Sequence, residues 1–193
     1  APMGASAVLL FAVPSSPLAQ PWSILCGNIV SALVGVTVAL VVGDPFLASA
    51  VAISVAIAAM MTFRCLHPPS GATALTAVLG GPAVAASGLG FAFFPVAINS
   101  ILLVAAGWAF HRFSGHRYPH RPAPKPANTH QTSDLPAQLR AGVTPMDVDA
   151  AVQRFGEALD INSDDLNALL MQAELQAMER LHADVACADI MSR

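Results

Sequence analysis

The sequence predicts an all-α, polytopic transmembrane protein with a cytoplasmic helical segment behind it. Three observations predict this. The 193 residues are 55% hydrophobic and only 11% charged, against about 25% charged in an ordinary soluble domain. The charges are segregated: residues 1–109 carry Asp44 and Arg64 as their only formal charges, while ten of the 12 acidic residues follow residue 146. Between those charges lie apolar runs that approach or exceed the roughly 20 helical residues a bilayer core requires. The mean hydropathy of +0.60 and the net charge of -3 are therefore averages over two unlike halves.

Taken in order, residues 3–13 form a short apolar block between Pro2 and Pro14-Ser15-Ser16-Pro17. At about 1.5 Å per residue it covers roughly half a bilayer, so this block and the one at 70–79 read either as half-helices or as ends of longer spans whose other part lies upstream. Residues 22–43 hold no formal charge and are long enough to span. Gly43-Asp44-Pro45 reads as a tight polar turn, because proline ends one helix and suits the first position of the next. Residues 46–63 form a second, shorter span. Residues 70–79 form another half-length block, closed by Gly80-Gly81-Pro82. Residues 88–110 form a third span, interrupted by Pro95 and Asn99.

His111-Arg112, His116-Arg117, His120-Arg121 and Lys125 follow at once. This concentration of basic residues predicts a cytoplasmic C-terminal part. The three histidines read as members of that basic segment, which attracts anionic lipid. The chain thus divides into a transmembrane region (1–110), a basic and then proline-rich linker (111–144), a helical hairpin (145–183) and a final segment (184–193). Pro119, Pro122, Pro124, Pro126 and Pro136 keep the linker extended. Thr144-Pro145 offers an N-cap and a proline at the first helical position, and Ser163-Asp164-Asp165 opens a second helix. Val148, Val152, Phe155 and Leu159 recur at helical spacing, as do Leu166, Leu169, Leu170, Ala173, Ala177 and Leu181, giving an apolar seam.

Pro69-Ser70-Gly71-Ala72-Thr73-Ala74-Leu75 repeats the pattern of Pro2-Met3-Gly4-Ala5-Ser6-Ala7-Val8. A proline-bearing break and a long span with one asparagine, Asn28 or Asn99, follow each block. Paired broken helices are a common way for transporters to build ion sites. Their unpaired N–H groups and positive dipole ends suit an anion. Ser6, Ser70 and Thr73 add hydroxyl donors, and Gly71 lets a ligand approach the backbone. Asn28 and Asn99 are candidate pore-lining residues. Close packing through small residues is the plainer account of the Gly-Ala blocks, and the preferred one for Gly27, Ser31 and Gly35.

Arg64 and His67 sit between apolar stretches. An arginine at a helix centre costs about 2.5–3.5 kcal/mol, so Arg64 either snorkels to headgroups or attracts anions at a pore mouth. Pro68 and Pro69 break the helix, since the residue before a proline is pushed out of the α region. His67 then either satisfies the freed carbonyls of its own chain or serves as a proton-linked switch or anion donor.

Cys26, Cys65 and Cys187 are far apart and form no CxxC pair, so all three read as free thiols. No P-loop, nucleophile elbow, zinc motif or dinucleotide fingerprint is present, and Asp44 is the sole acid of the membrane half. An enzyme is not expected, nor a metal site, a cofactor in this segment or a nucleic-acid partner. The chain opens at Ala1 inside an apolar block and stops at Ser192-Arg193, and both ends are expected to be cuts in a longer protein.

His67-Pro68-Pro69-Ser70-Gly71-Ala72 resembles the signature of the HPP family of integral membrane proteins. Gly4-Ala5-Ser6-Ala7-Val8-Leu9-Leu10-Phe11, with Pro14-Ser15-Ser16-Pro17-Leu18-Ala19-Gln20-Pro21, is similar to that family's earlier block. The resemblance covers residues 1–110. It implies four membrane helices, the first of them upstream of Ala1, and nitrite transport as in plastid members. The helical tail resembles the linker that joins some bacterial members to CBS domains, which implies a bacterial plasma membrane. Cys187-Ala188-Asp189-Ile190-Met191-Ser192-Arg193 resembles the opening of a CBS motif. A complete CBS region would take an adenine nucleotide.

The expectation is a transporter or channel for a small monovalent, nitrite-like anion. It sits in the lipid bilayer as a homo-oligomer and is regulated by a CBS region, with Ser6, Arg64, His67, Ser70, Gly71 and Thr73 at the substrate site. The alternative is a membrane-anchored, nucleotide-sensing regulatory module without transport. A structural oligomer scaffold is the third reading.

Overall fold

The computed structural model describes residues 2–121, 143–155 and 161–182, in two compact units that divide between Arg121 and Pro122. The proline-rich stretch at 122–142 and the CBS-like opening at 184–193 lie outside the described residues, as does Leu159. Among the described residues every regular element is helical.

The first unit holds α1 (Pro2–Ala12), a 3-10 turn at Pro17–Ala19, α2 (Pro21–Val41), α3 (Pro45–Thr62), α4 (Ser70–Leu79), α5 (Pro82–Ser87) and α6 (Ile98–Ser114). Three stretches are long and apolar enough to cross a membrane: Pro21–Val41, Pro45–Thr62 and Pro82–Ser114. The third begins earlier than the expected 88–110. Pro82 stands at the first helical position, where a missing N–H costs nothing, so it starts the stretch instead of ending it. The interruption falls at Phe94, which has extended angles (φ -131, ψ 117) ahead of Pro95.

Local chemistry explains the other boundaries. Asp44 Oδ1 accepts from Leu47 N–H at 2.7 Å and Pro45 opens α3, so the Gly43-Asp44-Pro45 turn is a capped helix start. The α3 helix ends at Thr62, and residues 63–69 are irregular until Ser70 begins α4. Arg64 takes a positive φ of 51° there. The indole of Trp22 donates to Phe63 O at 3.3 Å and fastens this end of α3 to the start of α2.

The central helix is α2, packed against α3, α4 and α6. It buries Ser23, Gly27, Asn28, Ser31, Gly35 and Val36 along one side. The Gly27/Ser31/Gly35 stripe is a packing face. A Cβ built on Gly35 would lie 2.7 Å from Ala77 Cβ, and one on Gly27 would lie 2.9 Å from His67 Cβ. Gly107 of α6 is equally tight: a Cβ there would meet Leu10 of α1 at 2.5 Å.

These contacts give the two sequence repeats a crossed arrangement. Leu10 and Ala77 hold matching places, each eight residues beyond the proline that opens its block. Leu10 packs on Gly107 of the second long helix, and Ala77 packs on Gly35 of the first. Each short helix therefore lies against the other repeat's long helix.

The directions follow from the same contacts. Ser70 and Ala77 pass Gly27 and Gly35 in order, so α4 runs parallel to α2. Along α1, Ser6 meets His67 beside Gly27, and Leu10 meets Ile24, so α1 runs the opposite way. The two short helices point away from each other, with their N-terminal parts near one level.

In the second unit, α7 (Pro145–Phe155) packs against α8 (Ser163–His182). Thr144 and Asp147 form a reciprocal cap: Thr144 N–H and Oγ1 donate to Asp147 Oδ2 at 3.0 and 2.6 Å. Those hydrogen bonds hold the Asp147 carboxyl below its ordinary range. The second helix starts at Ser163, with Asp164 and Asp165 in its first turn as expected, and Asn162 Oδ1 accepts from Asp164 N–H at 3.0 Å ahead of it. The apolar seam is only partly covered. Val148 is buried and Leu166 and Leu170 are half-buried, but Leu169 and Ala173 are exposed.

Candidate functional site

Where the short helices begin, six polar side chains are buried among apolar neighbours: Ser6, Asn28, His67, Ser70, Thr73 and Ser100. Four elements supply them. Ser6 stands on α1, Asn28 on α2, Ser70 and Thr73 in the first turn of α4, and Ser100 on α6. His67 comes from the irregular link that Pro68 and Pro69 force before α4.

Asn28 is the node of the larger group. Its Oδ1 accepts from Ser70 Oγ at 3.1 Å and from Thr73 Oγ1 at 2.9 Å, and its Nδ2 donates to Ser100 Oγ at 3.2 Å. One amide thus ties α2 to both α4 and α6. The smaller group centres on His67. Its Nδ1 lies 2.8 Å from Leu18 O and its Nε2 lies 2.7 Å from Ser6 Oγ.

Proton accounting follows from these partners. A carbonyl only accepts, so Nδ1 carries hydrogen. In the neutral ring Nε2 then accepts from the Ser6 hydroxyl. In the charged ring Nε2 donates to Ser6 Oγ, and the Ser6 hydrogen can turn to Pro2 O, 3.2 Å away. Ser6 therefore satisfies His67 in both protonation states.

The start of α4 is closed by its own chain. The N–H groups of Ser70, Gly71 and Ala72 donate to the carbonyls of His67, Pro68 and Pro69 at 2.8, 3.1 and 3.1 Å. Gly71 has open space where a Cβ would stand. Among the described residues no buried side-chain nitrogen or oxygen lacks a partner. The site as it stands is a satisfied network. The hydroxyls can serve a ligand only by leaving Asn28 Oδ1.

The sequence-predicted residues divide accordingly. Ser6 and His67 come together, as do Asn28, Ser70 and Thr73. Arg64 is exposed and its side chain makes no hydrogen bond or ion pair with the described residues, so it stands apart from the cluster. Asn99 is exposed and its neighbour Ser100 turns inward, since one residue rotates a helix by about 100°. Pro68 is exposed and Pro69 is buried.

His111 corrects the reading of the basic segment. It is 2% exposed, with Nε2 donating to Leu10 O at 2.8 Å and Nδ1 lying 3.1 Å from Ser114 Oγ. It belongs to the packing between α1 and α6. Nothing in the sequence separates it from His116, which is exposed.

A family model for the HPP transmembrane region matches residues 1–119. The chain belongs to the HPP family. Its HPP region coincides with the first unit, so the polar cluster lies wholly inside the family's membrane portion. The region is similar to two transmembrane proteins of Dictyostelium discoideum. One is 42% identical over 120 residues, covering 60% of this chain and 38% of the relative. The other is 39% identical over 120 residues, covering 60% of this chain and 42% of the relative. The chain thus spans about two fifths of the length of the curated relatives it matches. No solved structure matches it.

Proposed function

We propose that this HPP protein is a transporter or channel for a small monovalent anion of the nitrite type. The observation that carries the reading is the buried polar cluster between two short, oppositely directed helices. It offers hydroxyl, amide and imidazole donors and no carboxylate. Asp44, the only acid of residues 1–121, lies at the far end of α2. A cluster of donors without acids favours anions over cations.

In this reading Ser70 and Thr73 release Asn28 Oδ1 and turn to the ion. Two neutral hydrogen bonds contribute about 2 kcal/mol net, and bonds to a charged acceptor are roughly twice as strong. The exchange is thermodynamically cheap, so the closed network is compatible with opening. Ser6 and His67 border the path, Gly71 leaves room beside the backbone, and Arg64 attracts anions at the entrance.

The four arginines of residues 1–121 share one end of the unit. Arg64 follows Phe63, which is bonded to Trp22, and Arg112, Arg117 and Arg121 flank Tyr118, which is bonded to Ala19. That asymmetry supports a cytoplasmic C-terminal part, and a bacterial plasma membrane is part of the same proposal. A homo-oligomer and a regulating CBS region that takes adenine nucleotide complete the proposal, with transport and not catalysis as the activity.

One observation favours a second reading. The cluster is fully satisfied and two clefts on the unit are lined by other residues. This suits a membrane-anchored, nucleotide-sensing regulatory module. Proteoliposomes separate the two. The transport reading expects nitrite or nitrate flux that Ser70→Val and His67→Ala abolish while the protein stays folded. Absence of flux for every small anion tested, under any gradient, overturns it.

A further inference from the structure

A cleft of about 340 Å³ lies at the end of α6, apart from the polar cluster. Trp108, Arg112, His116, Arg117, Tyr118 and Arg121 line it. The Arg112 guanidinium lies 5.7 Å from the centre of the Trp108 ring.

The cleft is held in shape by bonds outside it. Gly115 turns the chain in the left-handed region (φ 78), which glycine adopts without strain. The returning segment is then pinned to the α1–α2 connection. Tyr118 Oη donates to Ala19 O at 3.0 Å and His120 N–H donates to Gln20 Oε1 at 2.9 Å. Gln20 is itself fixed by donating to Pro14 O and Ser16 O at 3.0 and 2.7 Å.

The charge of the cleft is uncompensated within its unit. Arg112, Arg117 and Arg121 are exposed and form no ion pair with the described residues, and Asp44 is at the other end. The position is also specific. The apolar stretch Pro82–Ser114 ends here, with Phe110 and Phe113 50% and 90% exposed beside the arginines. A tryptophan at the end of an apolar span, next to arginines, is the arrangement of a membrane interface.

We propose that this cleft binds a phosphate group carried by an anionic phospholipid. The guanidinium groups grip the phosphate oxygens, and the exposed phenylalanines of α6 lie along the acyl chains. Arginine suits this role because its planar fork pairs with two phosphate oxygens at once.

Tryptophan fluorescence of the full chain tests the site. The protein has two tryptophans, so Trp22→Phe leaves Trp108 as the sole emitter beside the cleft. In mixed detergent–lipid micelles, brominated phosphatidylglycerol should quench Trp108 saturably and well beyond brominated phosphatidylcholine. Each of Arg112→Gln, Arg117→Gln and Arg121→Gln should weaken that preference by about fivefold, the size expected for one basic residue at an anionic surface. Equal quenching by the two lipids overturns the proposal. Inorganic phosphate that displaces the brominated lipid and shifts Trp108 emission in lipid-free micelles makes free phosphate the ligand and overturns the lipid source. A preference that appears only after deletion of residues 145–182 assigns the cleft to the acidic helices and also overturns it.

Discussion

Asn28 and Thr73, 45 residues apart, meet through a 2.9 Å hydrogen bond in the middle of the apolar unit. The bond gives Asn28 a specific chemical duty. Its amide must accept from two hydroxyls on one side and donate to Ser100 on the other. Asn28→Asp keeps the acceptor and adds a charge. The variant should fold, because Ser70 and Thr73 retain their partner and the Ser100 hydroxyl can turn to donate to the second carboxylate oxygen. In proteoliposomes it should lose anion flux through like-charge repulsion. Flux at the parent rate from a folded Asn28→Asp protein would remove Asn28 from the anion path.

Ser6 is the partner that His67 Nε2 needs in either protonation state. Ser6→Ala leaves that nitrogen buried without one, at a cost of about 1–3 kcal/mol. Thermal unfolding in detergent should show the loss. Ser6→Thr keeps the hydroxyl and should lie closer to the parent. If Ser6→Ala unfolds at the parent temperature, the 2.7 Å contact contributes nothing to stability.

The small-residue positions should respond in opposite directions. Gly35→Ala pushes a methyl to within 2.6–3.0 Å of Ala74 and Ala77, so α2 and α4 must separate. Overpacking of this kind costs about 1–3 kcal/mol. Gly71→Ala meets open space and replaces a helical glycine, which is worth up to about 1 kcal/mol in stability. Unfolding midpoints of the two variants should therefore fall on opposite sides of the parent.

Tyr118 is the only tyrosine in the chain, so its titration is directly visible in absorbance. Burial pushes its phenol above the ordinary tyrosine value of about 10. A group that is harder to ionise in the folded state stabilises the fold at pH values below its unfolded pKa. That contribution is lost as pH rises towards the folded value. Phenolate absorbance should appear only well into the alkaline range, and stability should fall over the same interval. A titration centred near pH 10 with the fold intact would show that Tyr118 is solvated.

The capped turn at Asp44-Pro45, the break at Pro68-Pro69 and the repeat around Ser6 and Thr73 were legible because they rest on local rules. Proline geometry and helix capping need no knowledge of distant residues. The choice between Asn99 and Ser100 was not legible, since both lie on one helix and only a partner such as Asn28 decides which turns inward. Arg64 drew attention through its cost in lipid, and it lies in the irregular link after α3, outside the polar cluster. His111 looked like one more member of a basic segment. Its burial depends on Leu10, which the sequence places 101 residues earlier.

That crossed packing has a consequence for how the protein is made. At about 5–20 residues per second of synthesis, the 101 residues that separate Leu10 from His111 take about 5–20 s to emerge. Throughout that interval α1 is in or near the bilayer without the surface it finally covers. Neither repeat is a self-sufficient folding unit, and assembly of the first must wait for insertion of the last span. Whatever chaperones the nascent chain in the membrane therefore has to shelter the face of α1 that α6 later covers.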